Sequence, residues 1–353
     1  MKKPVVLFNV LNAVSTLNQA RLFEKLLNER GYDVEYYSSI PYPRARQEEV
    51  KGIWYFTLAL APWITNVTYS YFLVQKPQIV YVTIEGVPSK GNFMYSNVTR
   101  IPLIANSRFT KEMLEKAKLK VIDVIHHAID WELSGKAIQE SQKLREYLKR
   151  LYNDHVLLLY VGRHDPRKGL PILAKAAWIL HNRGVRGWTL LLHTEPSAGE
   201  IEWPPEARFI SHFGSKSWFD ILKLMAAVDY FVFPTLCEGF GLPLLEANSV
   251  GRPVIHAWIP PLKEFSSQEF NFVFDYLTTE LKEAKFANSP SQYFMLHLYP
   301  PEWLADMMQY AIQVYTQEKE QYQEYCAKAR EHTKAWDYRV VYKKFLKYLK
   351  IEE

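Results

Sequence analysis

Two glutamates, Glu238 and Glu246, stand eight positions apart in the segment FPTLCEGFGLPLLEANSVGRPVIHA, from Phe233 to Ala257. An ionised carboxylate accepts several hydrogen bonds, which suits it to sugar hydroxyls. Between the two lies Gly239-Phe240-Gly241, followed by Leu242 and Pro243. Glycines let backbone N–H groups approach a ligand, and a helix start adds partial positive charge. The main chain from Gly239 through Phe240 and Gly241 to Leu242 therefore reads as a phosphate cradle, with one carboxylate at its mouth and the other on the first turns of the helix. A second chemistry-bearing stretch is GRHDPRKG, Gly162 to Gly169. Arg163 and Lys168 are two cations suited to a diphosphate, each worth about 4 kcal/mol at ~4 Å and an effective dielectric near ~20, before desolvation. Arg167 reads as a solvated loop charge and His164 as a surface histidine.

These groups must be positioned by strands and helices that the apolar pattern marks. Val156 to Val161 is a continuous apolar run, expected of a strand buried on both faces. The cations follow it, at the carboxyl end where open α/β sheets bind ligands. A helix from Leu170 to His181 comes next. Tyr230 to Phe233 and Val254-Ile255 read as strands around the helix that Pro243 opens and Gly251 stops. Further strands are expected at Val5–Val10, Val34–Tyr37, Trp54–Leu60, Ile79–Thr83, Leu103–Ala105, Val121–Ile125, Leu190–His193 and Ala207–Ile210. Helices are expected at Ala20–Arg30, from an N-cap at Ser107 to Ala117, over Lys136–Leu151, at Trp218–Ala227 and, amphipathic, at Trp336–Leu349. Asp130 reads as structural. Residues 265–301 look like an irregular, aromatic-rich insertion.

The segment around the two glutamates resembles the E-x7-E region of retaining glycosyltransferases with the GT-B fold, family 4. The glutamates, the Gly-Phe-Gly between them and the trailing Gly-Arg-Pro-Val-Ile stand where that family has them. GRHDPRKG is similar to the family's G-R-x-x-x-x-K-G element. The resemblance implies two Rossmann-like α/β domains facing across a cleft. They would be an acceptor domain over residues 1–150, rejoined by a C-terminal helix at 336–350, and a nucleotide-sugar domain over 151–335. It implies that Arg163 and Lys168 neutralise the donor diphosphate, that Glu246 holds the ribose and that Glu238 holds the sugar. His212-Phe213-Gly214 resembles the segment beside the nucleotide base, with Gly214 among the binding residues. Two features depart from the family. Its glycine-rich turn after the first strand is replaced by Asn12-Ala13-Val14-Ser15, which leaves Ser15, Thr16 and their neighbours to supply hydrogen bonds. Where the family has a histidine near the transferred sugar, Glu85 stands, as an orienting group or base for the acceptor hydroxyl or as a structural residue. The G-G-x-x-E element is also altered, to Ile259-Pro260-Pro261-Leu262-Lys263-Glu264.

Composition bounds the rest. The 353 residues suggest two domains, and 48% hydrophobic content supports globular folding. Two cysteines form no disulfide framework, and a reducing cytoplasm is the expected compartment. The opening MKKPVVLFNVLNAV reads as a first strand and not as a signal peptide. The charge-free span Gly52 to Gln75 reads as core, with membrane-surface contact as the other reading. The sequons at Asn66 and Asn97 carry no weight without a secretion signal. A net charge of +5 permits an anionic surface as partner. The resemblance, and not the composition, implies the expected activity: retaining transfer of a sugar from a UDP- or GDP-linked donor to a glycan, lipid or protein acceptor. No cofactor is expected, and no metal, because no Asp-x-Asp motif occurs. The alternatives are a GT-B transferase acting on nucleic acid and a catalytically weak sugar-nucleotide-binding protein.

Overall fold

The computed structural model describes residues 5–9, 14–37, 53–58, 79–88, 103–286 and 289–349. Residues 59–78, the turn at Asn12-Ala13 and both sequons lie outside them. Two six-stranded parallel sheets dominate. The first contains β1 (Val5–Asn9), β2 (Val34–Tyr37), β3 (Ile53–Leu58), β4 (Ile79–Thr83), β6 (Leu103–Ala105) and β7 (Val121–Val124), in the order β2-β1-β3-β4-β6-β7. Its short strand neighbour β5 (Gly86–Pro88) belongs elsewhere. The second sheet contains β8 (Val156–Val161), β9 (Trp188–His193), β10 (Ala207–Phe209), β11 (Tyr230–Phe233), β12 (Val254–Ala257) and β13 (Phe272–Phe274), in the order β10-β9-β8-β11-β12-β13. β9, β11 and β12 are buried at every residue, as strands covered on both faces must be.

Crossover helices connect strands within each sheet: α1 (Val14–Glu29) and α2 (Arg108–Lys116) in the first, α5 (Leu170–Asn182), α6 (Trp218–Ala227) and α7 (Leu242–Ser249) in the second, while α3 (Trp131–Glu140) and α4 (Gln142–Leu151) link one sheet to the other. The expected cap at Ser107 forms, and Ser217 and Asp130 cap two further helices. The Ser107 hydroxyl accepts from Thr110 N, the Ser217 hydroxyl from Asp220 N and the Asp130 carboxylate from Leu133 N. Each such cap is worth about 1 kcal/mol. Asp130 also meets Lys25 of α1 at 2.6 Å. Gly251 takes φ +71° just beyond α7, the left-handed stop that glycine supplies.

Three expectations change. Residues 265–301 are not irregular: after β13 they form a hairpin of β14 (Thr278–Phe286) and β15 (Ser289–Leu298). β15 pairs antiparallel with β5, so a third sheet, β14-β15-β5, joins a segment of the second half to the end of β4. Lys136–Leu151 is two helices, α3 and α4, meeting at Ser141. After α8 (Pro301–Gln317) and α9 (Lys319–His332), the tail is not one helix. A 3-10 turn at Thr333–Trp336 is followed by extended Asp337, by α10 (Tyr338–Val341) and by a 3-10 segment at Tyr342–Leu349. Asp337 breaks the helix because its backbone bridges to Ile129 and its carboxylate accepts from Trp131 N and Arg339 N. The tail's Tyr338, Tyr342, Phe345 and Leu346 are fully buried and share a core with Phe23, Leu26 and Leu27 of α1.

Candidate active site

The second sheet reverses its strand order between β8 and β11, and such a switch point opens a crevice beyond the carboxyl ends of the strands. Two loops leave from it. After β8 the chain enters a 3-10 turn at Pro166–Lys168, capped by the Asp165 carboxylate, which accepts from Arg167 N at 3.0 Å. Gly169 then takes φ +71°, and a Cβ there would lie 1.9 Å from the Pro234 carbonyl oxygen. Only glycine allows this contact, which presses the β8 loop against the β11 loop. Leu236 N completes the seam by donating to the Arg167 carbonyl at 2.8 Å.

In the β11 loop, Glu238 is 5% exposed. Its Oε1 accepts from Lys168 Nζ at 2.5 Å and from the Thr235 hydroxyl at 2.9 Å. Gly239 abuts the end of β4, where a Cβ would lie 2.5 Å from Thr83 Cγ2. Its carbonyl accepts from the Ser107 hydroxyl at 3.0 Å and the Thr110 hydroxyl at 3.3 Å. The glycine turn thus touches both halves of the molecule. Gly241, at φ +101°, starts α7, and Phe240 and Leu242 beside it are buried. Glu246 sits on α7, where Trp218 Nε1 donates to its Oε1 at 2.8 Å. Burial pushes the Glu246 carboxyl up to about 7, with the Trp218 hydrogen bond partly opposing.

Glu85 lies between β4 and β5, and its Oε1 is 2.8 Å from Arg167 Nη1. Both side chains are 17% exposed. Burial lifts the Glu85 carboxyl above its ordinary range, against the pull of Arg167 and Lys168 and with the push of Glu238 and Asp165. Burial also works against the Arg167 charge, but Glu85, Glu238 and Asp165 outweigh it and its pKa rises. Arg167 is therefore not a solvated loop charge. The 3-10 turn and its Asp165 cap set the backbone so that this side chain points inward.

Lys168, Glu238, Gly239 and Glu85 are thus brought together, with Glu246 on the adjoining helix. Arg163 lies at the rim: its side chain is 77% exposed and its Nε meets Glu195 at 3.1 Å. Gly214, at φ +84°, is in an exposed turn closed by Ser215 N on the His212 carbonyl. Ser15 is on the first turn of α1, at the carboxyl edge of the other sheet. Among the described residues, no hydrogen bond or ion pair joins these three to the Lys168–Glu238 cluster.

Three participants escaped the sequence reading. Arg167 had only its adjacency to Lys168 as a signal. Trp218 had only its place directly after the Ser217 cap. Glu264, in the altered G-G-x-x-E element, caps α2 of the other half. Its carboxylate accepts from Arg108 N at 2.9 Å and Phe109 N at 3.0 Å, and meets His126 at 2.8 Å. Among the described residues no set of three His, Cys, Asp or Glu side chains is placed to share a metal ion, and no helix is long and apolar enough to cross a membrane.

Residues 155–289, which carry both loops, match the family described as Glycosyl transferases group 1. Uncharacterized glycosyltransferase 335 of Sulfolobus islandicus rod-shaped virus 1 is 23% identical over 344 residues, covering 95% of this chain and 98% of that protein. Among solved structures, a glycosyltransferase from Rickettsia africae ESF-5 superposes with a TM-score of 0.72 at 14% identity, covering 99% of this chain and 98% of its own. Anabaena Alr3699/HepE, solved in complex with UDP and glucose, superposes with a TM-score of 0.65 at 15% identity, over 99% of each chain.

Proposed function

We propose that this chain, a glycosyltransferase with the GT-B fold, transfers a hexose from a nucleoside-diphosphate sugar to a hydroxyl acceptor, with retention and without a metal. The carrying observation is the Lys168–Glu238 pair beside the Gly239–Gly241 turn at the switch point of the second sheet. An ammonium has three donors, so Lys168 can serve Glu238 and an anionic oxygen together. It would stabilise charge growing on the leaving diphosphate, the fixed-donor electrostatics that lower such barriers most. Arg163, at the rim, would meet the diphosphate from the solvent side. Main-chain N–H groups from Gly239 to Leu242 would complete the cradle, Glu238 would accept from sugar hydroxyls and Glu246 from the ribose. Glu85 would face the acceptor hydroxyl, with the leaving phosphate sharing its proton. Gly214 and Ser15 would contribute at the base and at the opposite wall. The UDP and glucose bound to HepE support a uridine-linked donor. Compartment is proposed as cytoplasmic, on the two free cysteines.

Turnover of a panel of UDP-, GDP- and ADP-sugars by the purified protein, with NMR assignment of the product anomer, tests this reading. Glu238→Ala should abolish turnover, and Glu246→Ala should raise the donor KM. Inversion at the anomeric carbon, or turnover lost on chelation and restored by a divalent ion, would refute the mechanism. Full activity of both variants would refute the site.

A further inference from the structure

We propose that Arg167 and strand β15 form a clamp that positions Glu85 on the acceptor side of the cleft, making both of them positioning elements for the transfer. The inference rests on the reading of Glu85 as the acceptor-facing carboxylate. It comes from contacts between distant parts of the chain. Immediately after Glu85, β5 pairs antiparallel with β15, Gly86 opposite Phe294, Val87 opposite Tyr293 and Pro88 opposite Gln292. The approach is close enough that a Cβ on Gly86 would lie 1.9 Å from the Tyr293 carbonyl oxygen. The Glu85 carbonyl accepts from Met295 N at 3.2 Å and from the Cys237 thiol, so its backbone is gripped from β15 and from the β11 loop. Its carboxylate is gripped by Arg167, whose guanidinium lies 5.6 Å from the centre of the Phe294 ring. Arg167 is itself anchored through its carbonyl to Leu236 N. Backbone and side chain of Glu85 are thus held by three elements, β15, the β11 loop and the β8 loop, and β15 touches both loops through Phe294 and through His297 N on the Leu236 carbonyl.

The surroundings make this clamp electrostatic as well as steric. Arg167 and Lys168 favour the ionised carboxylate, while Glu238 and Asp165 oppose it. The Cys237 thiol is held neutral by burial. His127, against Thr83 on β4, is held neutral by burial, which lowers its pKa to about 3, and burial lowers His297 of β15 as well. Without Arg167, one cation would face two carboxylates, and Glu85 would ionise only at higher pH.

The experiment is kcat against pH at saturating donor sugar, for the parent, Glu85→Gln, Arg167→Gln, Arg167→Lys and Gly86→Ala, with donor KM measured for each. The expected result is an acid limb that vanishes in Glu85→Gln. It should move upward by about one unit in Arg167→Gln, as loss of a neighbouring opposite charge requires, and return in Arg167→Lys. Donor KM should stay within about twofold of the parent, because the clamp acts on the acceptor side. Gly86→Ala should lower kcat about tenfold or more with donor KM similarly held, and it decides the matter if Arg167→Gln fails to fold. An unmoved acid limb in Arg167→Gln with Glu85→Gln inactive overturns the clamp but keeps Glu85. A rise in donor KM without a limb shift makes Arg167 a diphosphate ligand and also overturns it. Full kcat in Glu85→Gln removes the role of Glu85 itself.

Discussion

Glu238 and Glu246 are the same residue type, eight positions apart and both buried, yet their surroundings differ in kind. Glu238 has a cation on one oxygen and a hydroxyl on the same atom. Glu246 has an indole N–H, and no charged group is among the causes that move its pKa. The first is an ion pair whose worth depends on both partners staying in place. The second is a lone carboxyl whose ionisation is resisted by its low-dielectric surroundings. A motif fixes where two carboxylates go, and the groups around each decide what it can do. A carboxylate already paired with a cation suits the reacting sugar, and a group that titrates near neutrality makes donor binding sensitive to pH.

Breaking the pair should have the largest effect. Lys168→Met leaves Glu238 buried without its cation, and should cost about 3–5 kcal/mol in urea unfolding together with nearly all turnover. A loss under about 1 kcal/mol would show that Glu238 is as solvated as a surface carboxylate. Glu246 offers the opposite test. Its folded pKa of about 7 lies above the ordinary 4.5, so the folded state resists ionisation. The penalty is absent below the lower value, grows between the two and is complete above the higher. Converted at 1.36 kcal/mol per unit, it amounts to about 3 kcal/mol. Glu246→Gln should therefore be more stable than the parent at pH 8 by up to about that amount and equal to it near pH 4, while binding donor less well. Equal stabilities across the range would remove the contrast between the two sites.

A finer cut removes the indole N–H. Trp218→Phe keeps an aromatic ring, though a smaller one, and should cost about 1–2 kcal/mol of donor binding, the worth of a hydrogen bond to a carboxylate, read as a roughly tenfold rise in KM at constant kcat. A fall in kcat at constant KM would place Trp218 at the chemistry instead. The smallest effect belongs to the rim. Glu195→Ala breaks the exposed Arg163 pair and should change stability by less than about 1 kcal/mol in a thermal melt. A larger loss would make the rim part of the buried network.

Much of this molecule is legible from its residues, for identifiable reasons. β8, α6 and β11 match their expected bounds because a continuous apolar run or an N-cap followed by helical periodicity is local information. Gly169 and Gly241 signal tight turns because no other residue takes those angles so readily. The hairpin was invisible because its strands mix Thr, Glu, Lys and aromatic residues, and because β5, the strand it pairs with, lies some two hundred residues upstream. Arg167 was misjudged because two adjacent cations look alike until a capped turn sends each to a different carboxylate. The tail kept its apolar face but lost its single helix to the backbone bridge at Asp337, a partner that periodicity cannot show.

The shared core of α1 and the tail has a consequence for how the protein is made. Glu29 takes the Tyr338 hydroxyl from 309 residues away, and Gln19 and Phe23 meet Tyr342 from beyond that. At about 5–20 residues per second, a ribosome needs roughly 15–60 seconds to deliver those partners after α1 has emerged. Throughout that interval Phe23, Leu26 and Leu27 have no tail to cover them. A nascent chain arrested before residue 338 should therefore present this helix face to chaperones. A separate peptide spanning 333–349 should dock onto a truncated protein and restore its cooperative unfolding.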